Sequence, residues 1–325
     1  MSYFTAQNSR ILGLMKGAPV YPLVAFLLGF LITAMNGINS TLGLRAGNPA
    51  SLLAVHASGL VLVGLVLLRR REKGSGDRLP AYYFAAGVLG VATVLAGNIC
   101  FARVGASLTV AAALVGQMLG ALLMDSFGLL GMKRRPFASV KLVAPLIALA
   151  GTAVMVTDWG RASSILALAF VMGLLPVLSF ALNSRLSTSI GQFHATGVNY
   201  LTGLLSSILL LPLLGLSPAL VLERLAGTPI LLLIGGGCLG VVVVAGMNKI
   251  FPRIPATASV LLLFAGQVVA ALIFDLFITG SLGLRRLLGA GLLMFALLER
   301  LLRDRSDSLR EAQRVRAGLG AERTQ

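Results

Sequence analysis

The chain contains two related copies of one unit. The segment GNICFARVGASLTVAAALVGQMLGALLMDSFG, which begins at Gly97, is followed 150 residues later by MNKIFPRIPATASVLLLFAGQVVAALIFDLFI, which begins at Met247. An upstream block repeats at an offset of 144, for example Asn39 with Asn183. Because polar residues recur together with apolar ones, this internal repeat constrains the architecture more than any single motif does.

Composition places both copies in a membrane. Hydrophobic residues make up 57% of the chain and charged residues 12%, and the mean hydropathy is +0.92. Apolar runs of about twenty residues, the length of a membrane span, alternate with short polar loops. Ten such runs are centred near Phe30, Leu60, Leu89, Gln117, Ala148, Leu174, Leu205, Gly240, Val269 and Met294. We therefore predict an all-α polytopic membrane protein with two five-helix units, 23–157 and 165–302, between an N-terminal segment 1–22 and a basic tail 303–325.

An odd number of helices per copy has a topological consequence. The second copy starts on the opposite side of the membrane and is inserted upside down, so the two copies form inverted repeats. Such repeats are typical of secondary transporters, in which the two copies exchange conformations during alternating access. The pattern also predicts that Asn98 and Arg103 approach one membrane face, whereas Asn248 and Arg253 approach the other.

The distribution of Lys and Arg predicts the orientation. If the N-terminus is cytoplasmic, most of the 27 basic residues fall in cytoplasmic segments, as the positive-inside rule requires. Both termini are then cytoplasmic, and the basic tail is a solvated extension that can also attract anionic lipid headgroups. Charge alone gives no support for nucleic acid binding. Cys100 and Cys238 lie in apolar spans and are interpreted as core residues, neither metal ligands nor a disulfide.

Several short motifs occur once in each copy. The first helices carry MNGINSTLG and FALNSRLST, the fourth helices carry GQMLGALLMD and GQVVAALIFD, and FGLLG ends the fourth helix of the first copy. With these motifs the chain resembles the YdcZ family of the drug/metabolite transporter superfamily, as a tandem fusion of two five-helix units. The resemblance implies a ten-helix bundle with a central cavity and an exporter of unassigned substrate in a bacterial inner membrane.

One departure from the wider superfamily narrows the mechanism. The small multidrug resistance branch couples protons to cationic drugs through a Glu in its first helix. Here the first helix has Asn36 and Asn39, and the matching helix of the second copy has Asn183. The chain therefore does not fit a proton-driven exporter of that type.

Polar side chains within the spans are the candidate substrate ligands, because polar groups in a membrane are costly and commonly functional. Gln117 and Gln267 each follow a glycine at mid-membrane depth, which favours a cavity position. Their alternative role is helix packing. Amide side chains at other depths could bind a substrate without adding charge, or could hydrogen-bond between helices. These amides are Asn36, Asn39, Asn183, Asn98 and Asn248.

Titratable residues form a second group of candidates. His56 and Tyr200 occupy matching positions in the two copies, and both are candidate substrate ligands. The alternative roles of His56 are a packing residue and a proton acceptor. Asp125 and Asp275 lie near helix C-termini, where the helix dipole is unfavourable for a carboxylate. We therefore expect an interfacial ion pair for each, with proton coupling as the alternative. The expected partners are Lys133 or Arg134 for the first and Arg285 or Arg286 for the second.

The sequence thus predicts a secondary transporter or facilitator of a small metabolite. A Walker motif, a zinc-ligand cluster and a catalytic triad are all missing from the sequence, so we expect no enzyme activity, no ATP-driven transport, no cofactor and no bound metal. The fused second copy removes the need for a partner subunit, which favours a monomer in contact with membrane lipids. The alternative is a membrane scaffold or lipid-handling protein in which the repeated polar residues only hold helices together.

Overall fold

The structure, a computed structural model, describes residues 20–70, 72–131, 134, 142–156, 159–251, 256–280 and 283–321. Every regular element in these ranges is helical. The helices are α1 (Val20–Ala46), α2 (Asn48–Arg69), α3 (Ala86–Phe127), α4 (Val143–Met155), α5 (Trp159–Ile190), α6 (Gln192–Leu213), α7 (Pro218–Ala226), α8 (Ile230–Ile250), α9 (Ala256–Thr279) and α10 (Leu284–Ala321). Two short 3-10 turns, Ala81–Ala85 and Leu129–Gly131, flank α3.

Helix α3 contains two membrane crossings. It has 42 residues, about twice the length that one crossing needs. Gly105 interrupts it with φ 78° and ψ 175°, so a first arm (86–104) is followed by a second arm (106–127). With both arms counted and the short α7 set aside, the described residues contain ten membrane segments, five in each repeat. The predicted all-α architecture of ten transmembrane helices in two inverted repeats is confirmed.

Each repeat opens with the same helical hairpin. A single residue separates α1 from α2 and α5 from α6, namely Gly47 with φ 90° and ψ 151°, and its repeat counterpart Gly191 with φ 100° and ψ 156°. This backbone region is essentially restricted to glycine. A one-residue link reverses the chain direction, so the two helices of each hairpin run antiparallel.

The first helix of each repeat packs within the other repeat. Helix α1 contacts α8 and α9, and α5 contacts both arms of α3. Close approaches occur at repeat-related glycines. A Cβ added to Gly116 would collide with the Phe170 carbonyl, and one added to Gly266 would collide with the Phe26 carbonyl. Small residues that let helices approach this closely are typical of membrane helix packing, and here they interlock the two repeats about a pseudo-two-fold axis.

Candidate functional site

A cavity lies between the two repeats. It holds about 870 Å³ of empty space, including the part that is open to the surroundings. Seven helices contribute to its wall. The lining residues are Ile32, Met35, Asn36, Val55, His56, Gly90, Thr93, Val94, Gln117, Met172, Pro176, Ser179, Phe180, Asn199, Tyr200, Gly240, Val243, Val244, Leu263 and Gln267.

The wall of this cavity follows the internal repeat. Apart from Met172 and Leu263, every lining residue has its repeat counterpart in the lining. The offset is 144 for the residues of α1 and α2, and 150 for the residues of α3. The cavity therefore lies on the pseudo-two-fold axis, which is where transporters with inverted repeats bind their substrates.

Although the wall is symmetric in position, its chemistry is asymmetric. Gln117 and Gln267 keep the same side chain in both repeats, but Asn36 corresponds to Phe180 and Val55 corresponds to Asn199. Both repeats thus contribute polar groups, and apart from the two glutamines no polar residue type occurs at both equivalent positions. Among the described lining residues none carries a fixed charge, and the polar side chains are Asn36, His56, Thr93, Gln117, Ser179, Asn199, Tyr200 and Gln267.

His56 and Tyr200 are repeat counterparts with different hydrogen bonds. His56 Nδ1 lies 2.8 Å from the Leu52 carbonyl oxygen, and because a carbonyl can only accept, Nδ1 carries the proton. In the neutral ring Nε2 is then an acceptor, and it lies close to Gly203 of α6 and farther from Gly90 of α3. The Tyr200 hydroxyl donates to the Gly237 carbonyl over 3.3 Å. Both side chains line the cavity, and each keeps an acceptor that these bonds do not use.

Five of the nine predicted ligands lie on the cavity wall: Asn36, His56, Gln117, Tyr200 and Gln267. Each is at most 7% exposed. Position in the structure therefore favours these five as contacts for a bound solute.

Two of the remaining amides connect helices. Asn98 Nδ2 donates to Ser51 Oγ over 3.2 Å, and this bond joins the first arm of α3 to α2. Its counterpart Asn248 Nδ2 donates to Thr196 Oγ1 over 3.1 Å, joining α8 to α6. Both asparagines are almost completely buried and lie outside the cavity lining.

Asn39 and Asn183 also lie outside the lining, and their surroundings differ. Asn183 Nδ2 donates to Asn199 Oδ1 over 3.0 Å, so Asn183 orients an amide that belongs to the cavity. The position equivalent to Asn199 is Val55, which cannot accept a hydrogen bond. Within the described part of the chain, neither polar atom of the Asn39 side chain has a hydrogen-bond partner. Asn39 instead packs against Gly236.

The sequence interpretation missed three polar lining residues: Thr93, Ser179 and Asn199. The internal repeat contained a usable signal. In α1 the lining positions 32, 35 and 36 share one helix face because of their spacing. Adding the repeat offset of 144 gives positions 176, 179 and 180, so the same face of α5 is predicted to line the cavity. Asn199 was overlooked because its counterpart in the first repeat is a valine.

Asp275 lies away from the cavity and caps a helix of the other repeat. Its Oδ2 accepts a hydrogen bond from the Ser107 backbone N–H over 3.3 Å, at the start of the second arm of α3. A carboxylate at a helix N-terminus is electrostatically favourable. Arg286 Nη1 lies 3.7 Å from the same oxygen, and this arginine is one of the two partners that the sequence predicted. The capping contact itself was not predicted.

The counterpart Asp125 is also buried. Its predicted partner Lys133 lies outside the described residues, as does Arg253. The other predicted partner, Arg134, donates from Nε to the Ser126 carbonyl oxygen over 3.2 Å, which places it beside the end of the same helix. Arg103, the counterpart of Arg253, is exposed.

Two interlocked five-helix repeats around a central cavity define a multi-pass membrane transporter. The family model described as "Putative inner membrane exporter, YdcZ" matches residues 20–154 and 164–298. The chain therefore belongs to the YdcZ family of the drug/metabolite transporter superfamily and carries two family units in tandem. This is a family of inner-membrane transporters and not of enzymes.

Comparison with solved structures supports the fold. A crystal structure of a protein with 16% sequence identity matches with a TM-score of 0.60 and covers 90% of this chain and 98% of its own. At this identity the likeness concerns the fold alone. No curated protein matches the chain.

Proposed function

We propose that the chain exports a small metabolite across the inner membrane by alternating access, with the solute bound in the central cavity. The observation that carries this proposal is the pairing of lining residues across the two repeats. A site on the axis of inverted repeats becomes accessible from one side and then the other as the repeats exchange conformations. The solute needs only one binding site for both steps.

Within the cavity, Gln117 and Gln267 are the central contacts. They occupy equivalent positions in the two repeats and are 7% and 3% exposed. A primary amide both donates and accepts hydrogen bonds, so the pair can hold a polar group in either conformation of the transporter. Asn36, His56 and Tyr200 contribute further polar groups to the wall. Asn98 and Asn248 join helices that carry it, Asn183 orients Asn199, and Asn39 packs against Gly236.

The orientation follows from charge. Most of the 27 Lys and Arg residues fall in segments that share the predicted cytoplasmic side, including residues 69–78 and the end of α10. The positive-inside rule supports cytoplasmic N- and C-termini. With a membrane-impermeant reagent, a cysteine introduced in the C-terminal tail should be labelled in inverted vesicles and protected in intact cells.

The transport function is tested by replacing Gln117 with Leu. Cells producing the wild type should release a set of metabolites that cells producing Gln117→Leu or Gln267→Leu retain, as measured by mass spectrometry of the medium. Leucine preserves bulk and membrane insertion, so the yield of folded protein should stay near that of the wild type. Release of the same metabolites by both variants would contradict the proposed site.

Alternating access is tested separately from transport. Ser179 lines the cavity, so a Ser179→Cys variant lacking Cys100 and Cys238 should react with an impermeant thiol reagent from both membrane sides. A scaffold or lipid-handling protein with one fixed conformation would expose this cysteine from one side at most. One-sided labelling would therefore favour that alternative.

A further inference from the structure

The cavity wall combines many hydrogen-bonding groups with the absence of fixed charge. Among the described residues that line it there is no Asp, Glu, Lys or Arg. The carboxylate of Asp275 is engaged with Ser107 and Arg286, none of which contributes to the lining. This carboxylate is therefore engaged outside the cavity and is not available to a solute within it.

We propose that the cavity selects uncharged solutes that carry a primary amide or a comparable donor–acceptor group on an apolar body. This inference rests on the proposed transport function and specifies its substrate class. An ion that enters the cavity loses its hydration, and an opposite charge must compensate for that loss. The described lining residues offer no such charge, whereas a neutral polar group exchanges water for Gln117, Gln267 and Asn36.

The donor and acceptor inventory fits a neutral amide. The two glutamines can each donate and accept, so they can form a reciprocal pair of hydrogen bonds with a primary amide. His56 adds an acceptor at Nε2, since Nδ1 is committed to the Leu52 carbonyl. Tyr200 donates to the Gly237 carbonyl, so its oxygen also remains an acceptor. Solute N–H groups therefore find several acceptors in the wall.

The rest of the wall suits an apolar body. Met35, Met172 and Phe180 lie beside the valines and Leu263. Methionine side chains are flexible and polarisable and adapt to different apolar shapes. The cavity is thus expected to discriminate strongly by charge and only weakly by the shape of the apolar part.

The test uses three matched sets of compounds built on the same aryl and alkyl skeletons, as primary amides, as amines and as carboxylates. The purified full-length protein in detergent is screened by thermal unfolding at neutral pH, where the amines and carboxylates are charged. A ligand that binds the folded state raises its unfolding temperature by mass action. We expect shifts from members of the amide set, at concentrations at least about tenfold lower than for the charged analogues.

Charge conversion adds a second readout. In Gln117→Glu, or in Gln267→Glu if the first variant folds poorly, the new carboxylate should bring the amine set into the group of stabilising compounds. The shifts by amides should disappear in Gln117→Leu. This pattern would support both the cavity site and its preference for neutral solutes.

Each contrary result has a distinct meaning. Stabilisation by amines or carboxylates that Gln117→Leu abolishes would overturn the neutral class and leave the transport site intact. Shifts that persist unchanged in Gln117→Leu and Gln267→Leu would place binding outside the cavity and overturn the proposed function with it. Absence of any shift from all three sets would overturn the substrate class proposed here.

Discussion

At the scale of single residues, glycines set how closely the repeats approach. Gly116 and Gly266 lie against backbone carbonyls of the neighbouring helix, which cannot move aside like a side chain. Gly116→Ala and Gly266→Ala should each destabilise the protein by about 1–3 kcal/mol through overpacking. Thermal unfolding in detergent measures this. Gly64→Ala is the matched control, because nothing lies within 4 Å of its added Cβ, and equal loss in all three variants would contradict the packing argument.

The polar residues divide by what they contact, and this division can also be measured. Asn98→Ala removes the hydrogen bond to Ser51 and should cost about 1 kcal/mol of stability, the usual value for such bonds between membrane helices. Transport per folded molecule should remain close to that of the wild type. Asn36→Ala, on the cavity wall, should show the reverse pattern. Loss of transport at full folded yield in Asn98→Ala would move that residue into the pathway.

Sequence alone placed Gln117 and Asn98 in the same group, because both are amides in apolar spans. Mid-membrane depth singled out the glutamines, and the structure places both of them on the cavity wall. Depth gave no guidance for Asn98, whose role depends on Ser51 in another helix. The repeat predicted which positions are equivalent, whereas partners across helices depend on rotation about each helix axis. That rotation is fixed only by packing.

At the scale of elements, the break in α3 shows what the apolar runs could and could not reveal. Two spans centred near Leu89 and Gln117 were expected, and both are present. The sequence did not show that a single residue, Gly105, links them. Nor did it show that Asp275 of the opposite repeat accepts the N–H of Ser107 where the second arm begins. Such a contact joins segments 168 residues apart, and local patterns carry no information about it.

The break in α3 predicts a strong effect of one small substitution. Gly105 has φ 78° and ψ 175°, a conformation that costs a residue with a Cβ about 1–3 kcal/mol. Gly105→Ala should therefore lower the unfolding temperature, although its added Cβ would meet only Asp275, at 3.9 Å. Gly37→Ala, in the regular part of α1, is the control. An unchanged unfolding temperature in Gly105→Ala would indicate that α3 is not broken at this residue.

Asp275 should stabilise the same break in α3. Asp275→Leu removes both the cap on Ser107 and the pairing with Arg286, and loss of a helix cap typically costs about 0.5–2 kcal/mol. Asp275→Asn keeps an acceptor oxygen and should recover part of this loss. Proton coupling through this carboxylate would give a different result, since Asp275→Asn would then be well folded and unable to transport. Unfolding temperature and metabolite release, measured on both variants, separate the two roles.

At the scale of the whole molecule, a segment of each repeat lies over the first helical hairpin of the other repeat. We call these two segments the covers. Residues 72–80 lie over the junction of α5 and α6. There the Ser75 N–H donates to the Thr188 carbonyl and the Phe193 N–H donates to the Glu72 carboxylate. On the other repeat, α7 packs through Val221 against the junction of α1 and α2. Because the repeats are inverted, these two covers lie at opposite membrane faces. Alternating access then requires that they open one at a time.

A reversible cross-link can hold one of these covers closed. The backbone hydrogen bond of 3.0 Å between Ser75 and Thr188 holds these two segments at a separation that a disulfide can bridge. Both side chains are exposed. In a background without Cys100 and Cys238, oxidation of Ser75→Cys with Thr188→Cys should stop metabolite release, and reduction should restore it. The cover cannot leave the α5–α6 junction while the bond is intact, so the cavity stays closed on the predicted cytoplasmic side. Each single-cysteine variant, treated with the same oxidant, should keep full release. Full release by the cross-linked protein would show that this cover does not move during transport, and the conformational exchange would then have to occur within the helices that line the cavity.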